Sequence, residues 1–229
     1  MVKYVDNVWH AVKVSFAHEI GNVCKPLGID SHRVMEIFCQ DTKLNISPKY
    51  LRPGFAFGGS CLPTDVRALV QKGRERDLEL PLLEAVLPSN EVHYGRGLAM
   101  ILKTGRKRIG ILGFSFKAGT DDLRESPLVG LIEALLGKGC ALRIYDRHVH
   151  TARLFGANRE YIEKAIPHVS SLMCQSLDEV LEHAEVVVVG NRDPEFATVP
   201  DRLRPGQQLI DLVRVRPEGA GAQGEGICW

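Results

Sequence analysis

The sequence has almost no excess of charge of either sign. It contains 29 lysine and arginine residues against 28 aspartate and glutamate residues, for a formal charge of +1. That balance provides no long-range attraction for nucleic acid or for an anionic membrane surface. No apolar run reaches the length of a membrane-spanning helix, and the stretch Met1-Val2-Lys3-Tyr4 lacks the layout of a signal peptide. We therefore expect a cytoplasmic protein whose partners include neither nucleic acid nor membrane.

Paired cysteines are missing as well. The six cysteines are irregularly spaced, and no two of them form a CxxC pair. This pattern argues against a zinc site and against a disulfide framework, and it favours a reducing compartment. The apolar content of 45% and the charged content of 25% are ordinary for a globular protein. A chain of 229 residues then holds one large domain or two small ones.

The most informative stretch that is present runs from Gly54 to Asp65. Cys61 lies just ahead of a predicted helix, and Pro63 suits the first position of that helix. Free amide groups at a helix N-terminus favour an anion, and the thiolate is the nucleophilic form of cysteine. Asp65 lies on the same side of the first turn, where a carboxylate can hold a water or take a proton. The alternative is a buried structural cysteine, since free cysteine is among the most buried residue types.

An apolar seam predicts a long first helix over residues 3–27. Its members recur at steps of three and four: Val5, Trp9, Val12, Phe16, Ile20, Val23 and Leu27. A seam of this length usually packs against other helices. Lys3 and Asn7 lie four residues apart on one face of the first turns. Their ammonium and amide groups could stabilise negative charge on an oxygen, or they could be two solvated polar residues at a helix start.

The pattern changes after the polar stretch 104–107. Helices are predicted before it, at 31–40, 63–77 and 81–103, and Pro88 is expected to kink or restart the last of them. After it, short apolar runs at 109–114, 141–145, 185–190 and 208–213 alternate with helical patterns at 127–138, 149–166 and 177–184. This alternation predicts a parallel sheet with crossover helices. We expect an α/β protein with a helical domain over 1–104 and a Rossmann-like domain over 105–229, whose residues from Val215 onward are flexible.

A dinucleotide fingerprint is missing from the predicted sheet. The stretch Gly110-Ile111-Leu112-Gly113 is not GxGxxG, so we do not expect NAD to bind there. Ligands bind at the carboxyl ends of parallel strands, where Lys117 and Arg124 follow the first strand and could hold phosphate. A charged surface loop is the alternative. Asp146 ends the second strand and could either contact ribose hydroxyls or serve only as a turn residue.

The stretch Phe57-Gly58-Gly59-Ser60-Cys61-Leu62-Pro63-Thr64-Asp65 resembles the nucleophile motif of the nucleotide-sugar 6-dehydrogenases, the UDP-glucose/GDP-mannose dehydrogenase family. Residues 1–21, 110–127 and 225–229 resemble the family as well. The resemblance covers the central and C-terminal domains, and nothing here corresponds to the N-terminal Rossmann domain that binds NAD in the family. Thr64 stands where a lysine is common in the family, which removes one positive charge close to the thiol.

The resemblance implies an NAD-dependent twofold oxidation of a nucleotide sugar, through a thiohemiacetal and a thioester on Cys61, as a step in polysaccharide biosynthesis. Lys3 and Asn7 would stabilise the reacting oxygen, and Asp65 would position or activate water. Arg124 would reach the NAD held by the absent domain. The residues implied in binding the nucleotide sugar are Tyr50, Leu51, Arg52, Phe55, Gly58 and Lys117.

The resemblance also implies a homodimer formed through helix 3–27, and overall similarity favours GDP-mannose over UDP-glucose as the substrate. Without the NAD domain, we expect the isolated chain to bind a nucleotide sugar weakly and to turn over little or not at all. Two other functions stay open. One is a non-catalytic dimeric module that binds a nucleotide sugar, or a truncated gene product. The other is a cysteine hydrolase that uses Cys61, with His10 brought close by the fold.

Overall fold

The computed structural model describes residues 2–47, 53–115, 119–120, 123–149, 156–216 and 224–228, with the backbone alone at 4–8, 10, 11, 15 and 156–159. The helices are α1 Val2–Cys24, α2 Ser31–Cys39, α3 Leu62–Arg74, α4 Pro81–Lys103, α5 Pro127–Gly137, α6 Gly156–Ala165, α7 Val169–Leu172, α8 Leu177–His183 and α9 Val199–Arg202. The strands are β1 Arg108–Leu112, β2 Ala141–Tyr145, β3 Val186–Val189, β4 Gln208–Asp211 and β5 Glu225–Gly226. The α/β class and the order of a helical part followed by a parallel sheet are confirmed.

The chain divides into two compact units, Met1–Arg52 with Pro63–Ser89 and Pro53–Leu62 with Asn90–Trp229. We call them the helical unit and the sheet unit. The helix α4 contributes to both, because the division falls between Ser89 and Asn90, one residue after Pro88. The boundary expected at residue 104 concerns domains and stays a prediction.

In the helical unit, the C-terminal half of the apolar seam is covered. Val23 is buried with Leu80 and Leu83, and Phe16 packs against this cluster. The helix α1 passes into a 3-10 turn, Lys25–Leu27, which ends at Gly28 in the left-handed region with φ 69°. Next, α2 is capped by Asp30, whose carboxylate accepts from the amide of His32 at 2.9 Å. The burial of the seam and the Asp30 cap therefore both agree with the helices predicted from the sequence in this unit.

Among its described residues, the sheet unit has five parallel strands in the order β2-β1-β3-β4-β5. Each of β1 and β3 is buried over almost its whole length, as expected of strands covered on both faces. One apolar cluster lies around α5 and the C-terminal part of α4, and the other lies around α8. The order reverses between β1 and β3, and ligands of doubly wound sheets bind outside the carboxyl ends of the strands at such a point.

Two expectations about this unit need correction. The helix predicted over 149–166 does not include Val149, which closes a turn by donating its amide to the Asp146 carbonyl at 3.2 Å. Within the predicted range the structure describes a helix over Gly156–Ala165, and positions 150–155 lie outside the described residues. The end of the chain was expected to be flexible, but Glu225 and Gly226 pair with β4 as a fifth strand. A two-residue strand beside glycines has too little apolar pattern to be recognised in a sequence.

Candidate functional site

Cys61 is exposed and is the last residue before α3. This exposure contradicts the alternative of a buried structural cysteine. The helix begins at Leu62, so Pro63 takes the second helical position, where its missing amide hydrogen would also have had no intrahelical partner. Asp65 is exposed in the first turn. The local arrangement is therefore an accessible thiol at a helix N-terminus, followed one turn later by a carboxylate.

Residues 53–61, which end at Cys61, form what we call the cysteine loop. Gly58 allows this loop to pack closely against the turn before α5. A Cβ atom at position 58 would overlap the carbonyl oxygen of Glu125 and lie 2.6 Å from Cδ of Pro127. Gly59, in the left-handed region with φ 86°, donates its amide to the same Glu125 oxygen at 3.3 Å. Glycine at position 58 is thus required by backbone packing, whatever ligand the loop binds.

The turn that receives the loop is itself strained. Glu125 adopts φ 50°, a left-handed conformation that costs a residue with a Cβ atom roughly 1–3 kcal/mol. Beside it, Ser126 occupies the N-cap position of α5, as the sequence predicts, but its hydroxyl donates to the Phe114 carbonyl at 3.1 Å instead of capping the helix. Backbone strain of this kind persists where the surroundings fix it, and it is frequent near functional sites.

On its other side the cysteine loop contacts α4. Phe55 lies 6.0 Å from Tyr94 between ring centroids, and a Cβ atom at Gly97 would lie 2.5 Å from Cε2 of Phe55. Burial, with the nearby charges of Glu91 and Glu133, raises the pKa of Tyr94 to about 12. The phenol is therefore neutral at physiological pH and acts as a packing surface for the loop.

The other residues singled out by the sequence are spread over both units. Lys3 is exposed on α1 in the helical unit, and the backbone of Asn7 is helical there. Arg124 is partly buried in the sheet unit, next to the strained Glu125. The positions 50, 51, 52 and 117, which hold Tyr50, Leu51, Arg52 and Lys117, lie outside the described residues. The structure thus places Gly58 against the turn that contains Arg124 and Glu125, and Phe55 and Cys61 lie on the same loop as Gly58.

Asp146 organises the carboxyl edge of the sheet. Its buried carboxylate accepts from the amide of Phe114 at 3.0 Å, from the hydroxyl of Ser115 at 3.0 Å and from the amide side chain of Asn191 at 3.3 Å. These bonds tie together the segments that follow β1, β2 and β3. The two readings of Asp146 were a ribose contact and a turn residue, and its bonding is that of a structural cross-link.

Two basic residues that were not predicted from the sequence lie at the same edge of the sheet. Arg147 and His148 directly follow β2, and both approach the buried carboxylate of Asp193, at 2.9 Å from Arg147 Nε and 3.1 Å from His148 Nε2. Two basic residues immediately after a predicted strand are a signal that could have identified them. Arg147 thus forms an ion pair with Asp193 near the point where the strand order reverses.

The described residues do not fit a dinucleotide in the connection after β1. A Cβ atom at Gly110 would lie 2.5 Å from Val180 Cγ1, and one at Gly113 would overlap the side chain of Asn191. Both glycines are therefore needed for packing within the unit, and neither leaves an open backbone cradle for pyrophosphate. This packing agrees with the absence of a dinucleotide fingerprint from the sequence.

The described part of the chain contains neither a candidate metal site nor a membrane-spanning helix. There, no three histidine, cysteine, aspartate or glutamate side chains cluster in a way that could hold a metal ion. The helices found there are too short or too polar for any of them to cross a membrane. All six cysteines lie in described residues and are free thiols. His10, needed by the hydrolase alternative, has no described side chain, so that alternative stays a prediction.

Comparison with known proteins identifies relatives along the whole chain. GDP-mannose 6-dehydrogenase of Pseudomonas aeruginosa is 53% identical over 229 residues, which are 100% of this chain and 52% of that protein. UDP-glucose 6-dehydrogenase of Haloferax volcanii is 32% identical over 92% of this chain and 46% of that protein. A crystal structure of a ternary complex of GDP-mannose dehydrogenase from Pseudomonas aeruginosa matches with a TM-score of 0.93 and 53% identity, over 100% of this chain and 52% of that one.

The chain spans about half the length of the curated relatives it matches. Two models of one family account for most of its residues. The central domain of the UDP-glucose/GDP-mannose dehydrogenase family matches residues 1–92, and the UDP binding domain of the same family matches residues 110–215. The chain therefore belongs to the UDP-glucose/GDP-mannose dehydrogenase family, of which it holds the central and UDP binding domains.

Proposed function

We propose that this chain is the nucleophile-bearing and nucleotide-sugar-binding part of an NAD-dependent GDP-mannose 6-dehydrogenase, which oxidises GDP-mannose twice to GDP-mannuronate. The observation that carries the proposal is an exposed Cys61 at the start of α3, on a loop docked against the turn at the carboxyl edge of the sheet. GDP-mannose is preferred over UDP-glucose because relatives called GDP-mannose 6-dehydrogenase are 49% to 53% identical, against 32% to 35% for those named for UDP-glucose.

The part of the chemistry that belongs to this chain is covalent. The thiolate of Cys61 adds to the aldehyde carbon at C6, a carbon–sulfur bond forms, and the carbonyl oxygen takes a proton to give a thiohemiacetal. Lys3 and Asn7 stabilise the charge that develops on this oxygen. After oxidation to the thioester, Asp65 positions a water that attacks the carbonyl carbon, and the thiolate leaves as the carboxylate forms.

Binding of the nucleotide sugar is the second part of the proposal. The residues assigned to the substrate are Lys117, Tyr50, Leu51 and Arg52, together with Phe55 and Gly58 of the cysteine loop. Support comes from the strand order, since phosphates bind at the carboxyl ends where the order reverses. Arg124 is assigned to the NAD held outside this chain.

We further propose a cytoplasmic homodimer formed through α1. The support is that the apolar seam on α1 extends past the part that is buried within the chain: Trp9 is 41% exposed, whereas Val23 is 5% exposed. A second copy would cover the N-terminal half of the seam.

A non-catalytic dimeric module that binds a nucleotide sugar is the second candidate function. It is favoured by one observation, that packing around Gly110 and Gly113 leaves no open backbone cradle for a dinucleotide among the described residues. The two candidates share the binding site and differ only in NAD-dependent turnover.

The test is titration of the purified chain with GDP-mannose in a calorimeter, with UDP-glucose as the comparison ligand, followed by an assay for NADH. We expect GDP-mannose to bind more tightly than UDP-glucose, and Lys117→Ala to weaken binding about tenfold, or 1.4 kcal/mol. The exposed Lys103, at the end of α4, provides the matched control in Lys103→Ala. We expect little or no NADH, and any NADH formed should vanish in Cys61→Ser.

The outcomes separate the candidates. Turnover that depends on Cys61 would show that the chain is an enzyme by itself. Binding without turnover favours the module or the partial enzyme, and absence of GDP-mannose binding would contradict the proposal.

A further inference from the structure

One face of α4 packs against the cysteine loop. Asn90, His93, Tyr94 and Gly97 lie at steps of three, one and three, and therefore on one side of the helix. Asn90 contacts Phe57, His93 contacts Gly54, and Tyr94 and Gly97 contact the ring of Phe55. Every member of this face holds a residue that lies within seven positions of Cys61.

The side chain of Asn90 bonds both backbone groups of one loop residue, as a neighbouring strand would. Its side-chain oxygen accepts from the amide of Phe57 at 2.9 Å, and its side-chain nitrogen donates to the carbonyl of the same residue at 2.9 Å. One residue of the loop is thereby fixed through both of its backbone groups. One helical turn later, His93 Nε2 donates to the Gly54 carbonyl at 2.6 Å.

The end of the chain closes this arrangement. We call residues 224–228 the tail segment. Pairing of Glu225 and Gly226 with β4 directs Ile227 to Gly97, where a Cβ atom would lie 3.4 Å from Ile227 Cδ1 and 2.5 Å from Phe55. The next residue, Cys228, brings its sulfur to 4.0 Å from the Gly54 carbonyl oxygen. Ile227 and Phe55 both pack against the apolar cluster around α5 and the C-terminal part of α4.

We propose that the tail segment positions the nucleophile: Ile227, near the end of the chain, and Asn90, from α4, hold the cysteine loop in place and thereby fix the position of Cys61 within the sheet unit. Neither residue touches the reacting atoms, and both act through the loop. A displacement of about 1 Å at a reacting group can cost about a hundredfold in rate, so a loop held at several points has a direct use. The inference rests on the proposed function, because that function makes the position of Cys61 matter.

The experiment uses the full chain and two readouts that need neither NAD nor substrate. Hydrogen exchange, followed by mass spectrometry, measures the anchoring of the peptide that contains residues 53–61. Alkylation by iodoacetamide at neutral pH measures the reactivity of Cys61, with the exposed Cys39 of the same molecule as the internal reference. The variants are Ile227→Asn, the conservative Ile227→Val and a chain lacking residues 224–229, with Asn90→Leu as an independent release of the loop.

We expect Ile227→Asn and the shortened chain to speed exchange of the loop amides about tenfold or more, because their protecting hydrogen bonds open more often. The Cys61 to Cys39 alkylation ratio should fall about fivefold, because a released loop no longer holds the thiol beside the free amide groups that precede α3. Ile227→Val should restore both values, and Asn90→Leu should reproduce the loss. The control is Val92→Asn, an apolar-to-polar change at a residue of α4 that is 61% exposed.

The inference is overturned if loop exchange is unchanged in the shortened chain, or if exchange rises while the alkylation ratio stays the same. A different result would contradict the proposed function instead, namely a Cys61 that reacts no faster than Cys39 in the unaltered chain. The exchange data would still decide whether the tail segment anchors the loop, so the two failures can be told apart.

Discussion

At the scale of single residues, glycines of the sheet unit fall into two groups with opposite consequences. Gly58 lies against the Glu125 carbonyl and Pro127, with no room for a Cβ atom, whereas nothing lies within 4 Å of a Cβ atom built at Gly95. Gly95 occupies the interior of α4, where glycine is less favourable than alanine. Identical substitutions at the two positions should therefore change stability in opposite directions.

We expect Gly58→Ala to destabilise the chain by about 1–3 kcal/mol, because the cysteine loop or the Glu125 turn must move. Gly95→Ala should stabilise it by about 1 kcal/mol. The midpoint of urea unfolding, followed by circular dichroism, measures both. If Gly58→Ala were as stable as the parent chain, the loop would not be docked on Glu125.

The sequence revealed some residues of this site and concealed others for a physical reason. Cys61 and Gly58 were recognised because they stand in one short motif, next to a helix start. Asn90 and His93 were not, because they contact loop residues 33 and 39 positions away in the chain. Such contacts depend on the fold, and they leave no local spacing that a reader of the sequence can recognise.

At the scale of elements, the start of α4 depends on a residue of α1. Glu19 is a buried carboxylate whose two oxygens accept from the amides of Leu82 at 2.8 Å and Leu83 at 2.9 Å. Amide groups in the first turn of a helix lack intrahelical partners, and a negative charge there is favoured by the helix dipole. The pairing of these two helices within the helical unit therefore rests on a polar contact as well as on the apolar cluster.

Glu19→Ala should lower the free energy of unfolding by about 2–3 kcal/mol, because two buried donors lose their partners. Glu19→Gln keeps an acceptor and should cost less. The matched control is Glu36→Ala on α2, which removes a solvent-exposed pair with Arg33 and should cost at most about 0.5 kcal/mol. Thermal unfolding measures all three, and equal losses at positions 19 and 36 would contradict the capping role.

Helices and strands were predictable where the apolar pattern extends over several residues. The helix α4 has the bounds expected from its sequence, and β2, β3 and β4 lie within the expected apolar runs, whereas β1 begins one residue before its run. The alternation of buried strands and amphipathic helices is a strong signal because each element repeats its pattern several times. The strand β5 has two residues and gains its place from pairing with β4, and no period exists over so short a stretch.

At the scale of the whole molecule, the exposed apolar side chains are unevenly distributed. Most of those that are large and belong to described residues lie in the first 46 positions: Val2, Trp9, Val14, Ile29, Val34, Ile37, Leu44 and Ile46. Scattered apolar residues need no explanation, but a concentration of this kind indicates a surface that is covered in an assembly. It lies in the unit that contains the helix α1 proposed to form a dimer.

The proposed dimer makes Trp9 the most informative position to change. Trp9 continues the seam beyond the buried Val23, and aromatic residues contribute strongly to interfaces. We expect the unaltered chain to be a dimer in light scattering at micromolar concentration, and Trp9→Glu to raise the dissociation constant about a hundredfold, because a charge would be buried without a partner. Val92→Glu, at a residue that is 61% exposed on α4, is the control and should leave the dimer intact. A monomeric parent chain would contradict the dimer, and a Trp9→Glu variant that stayed dimeric would place the interface elsewhere than on the seam of α1.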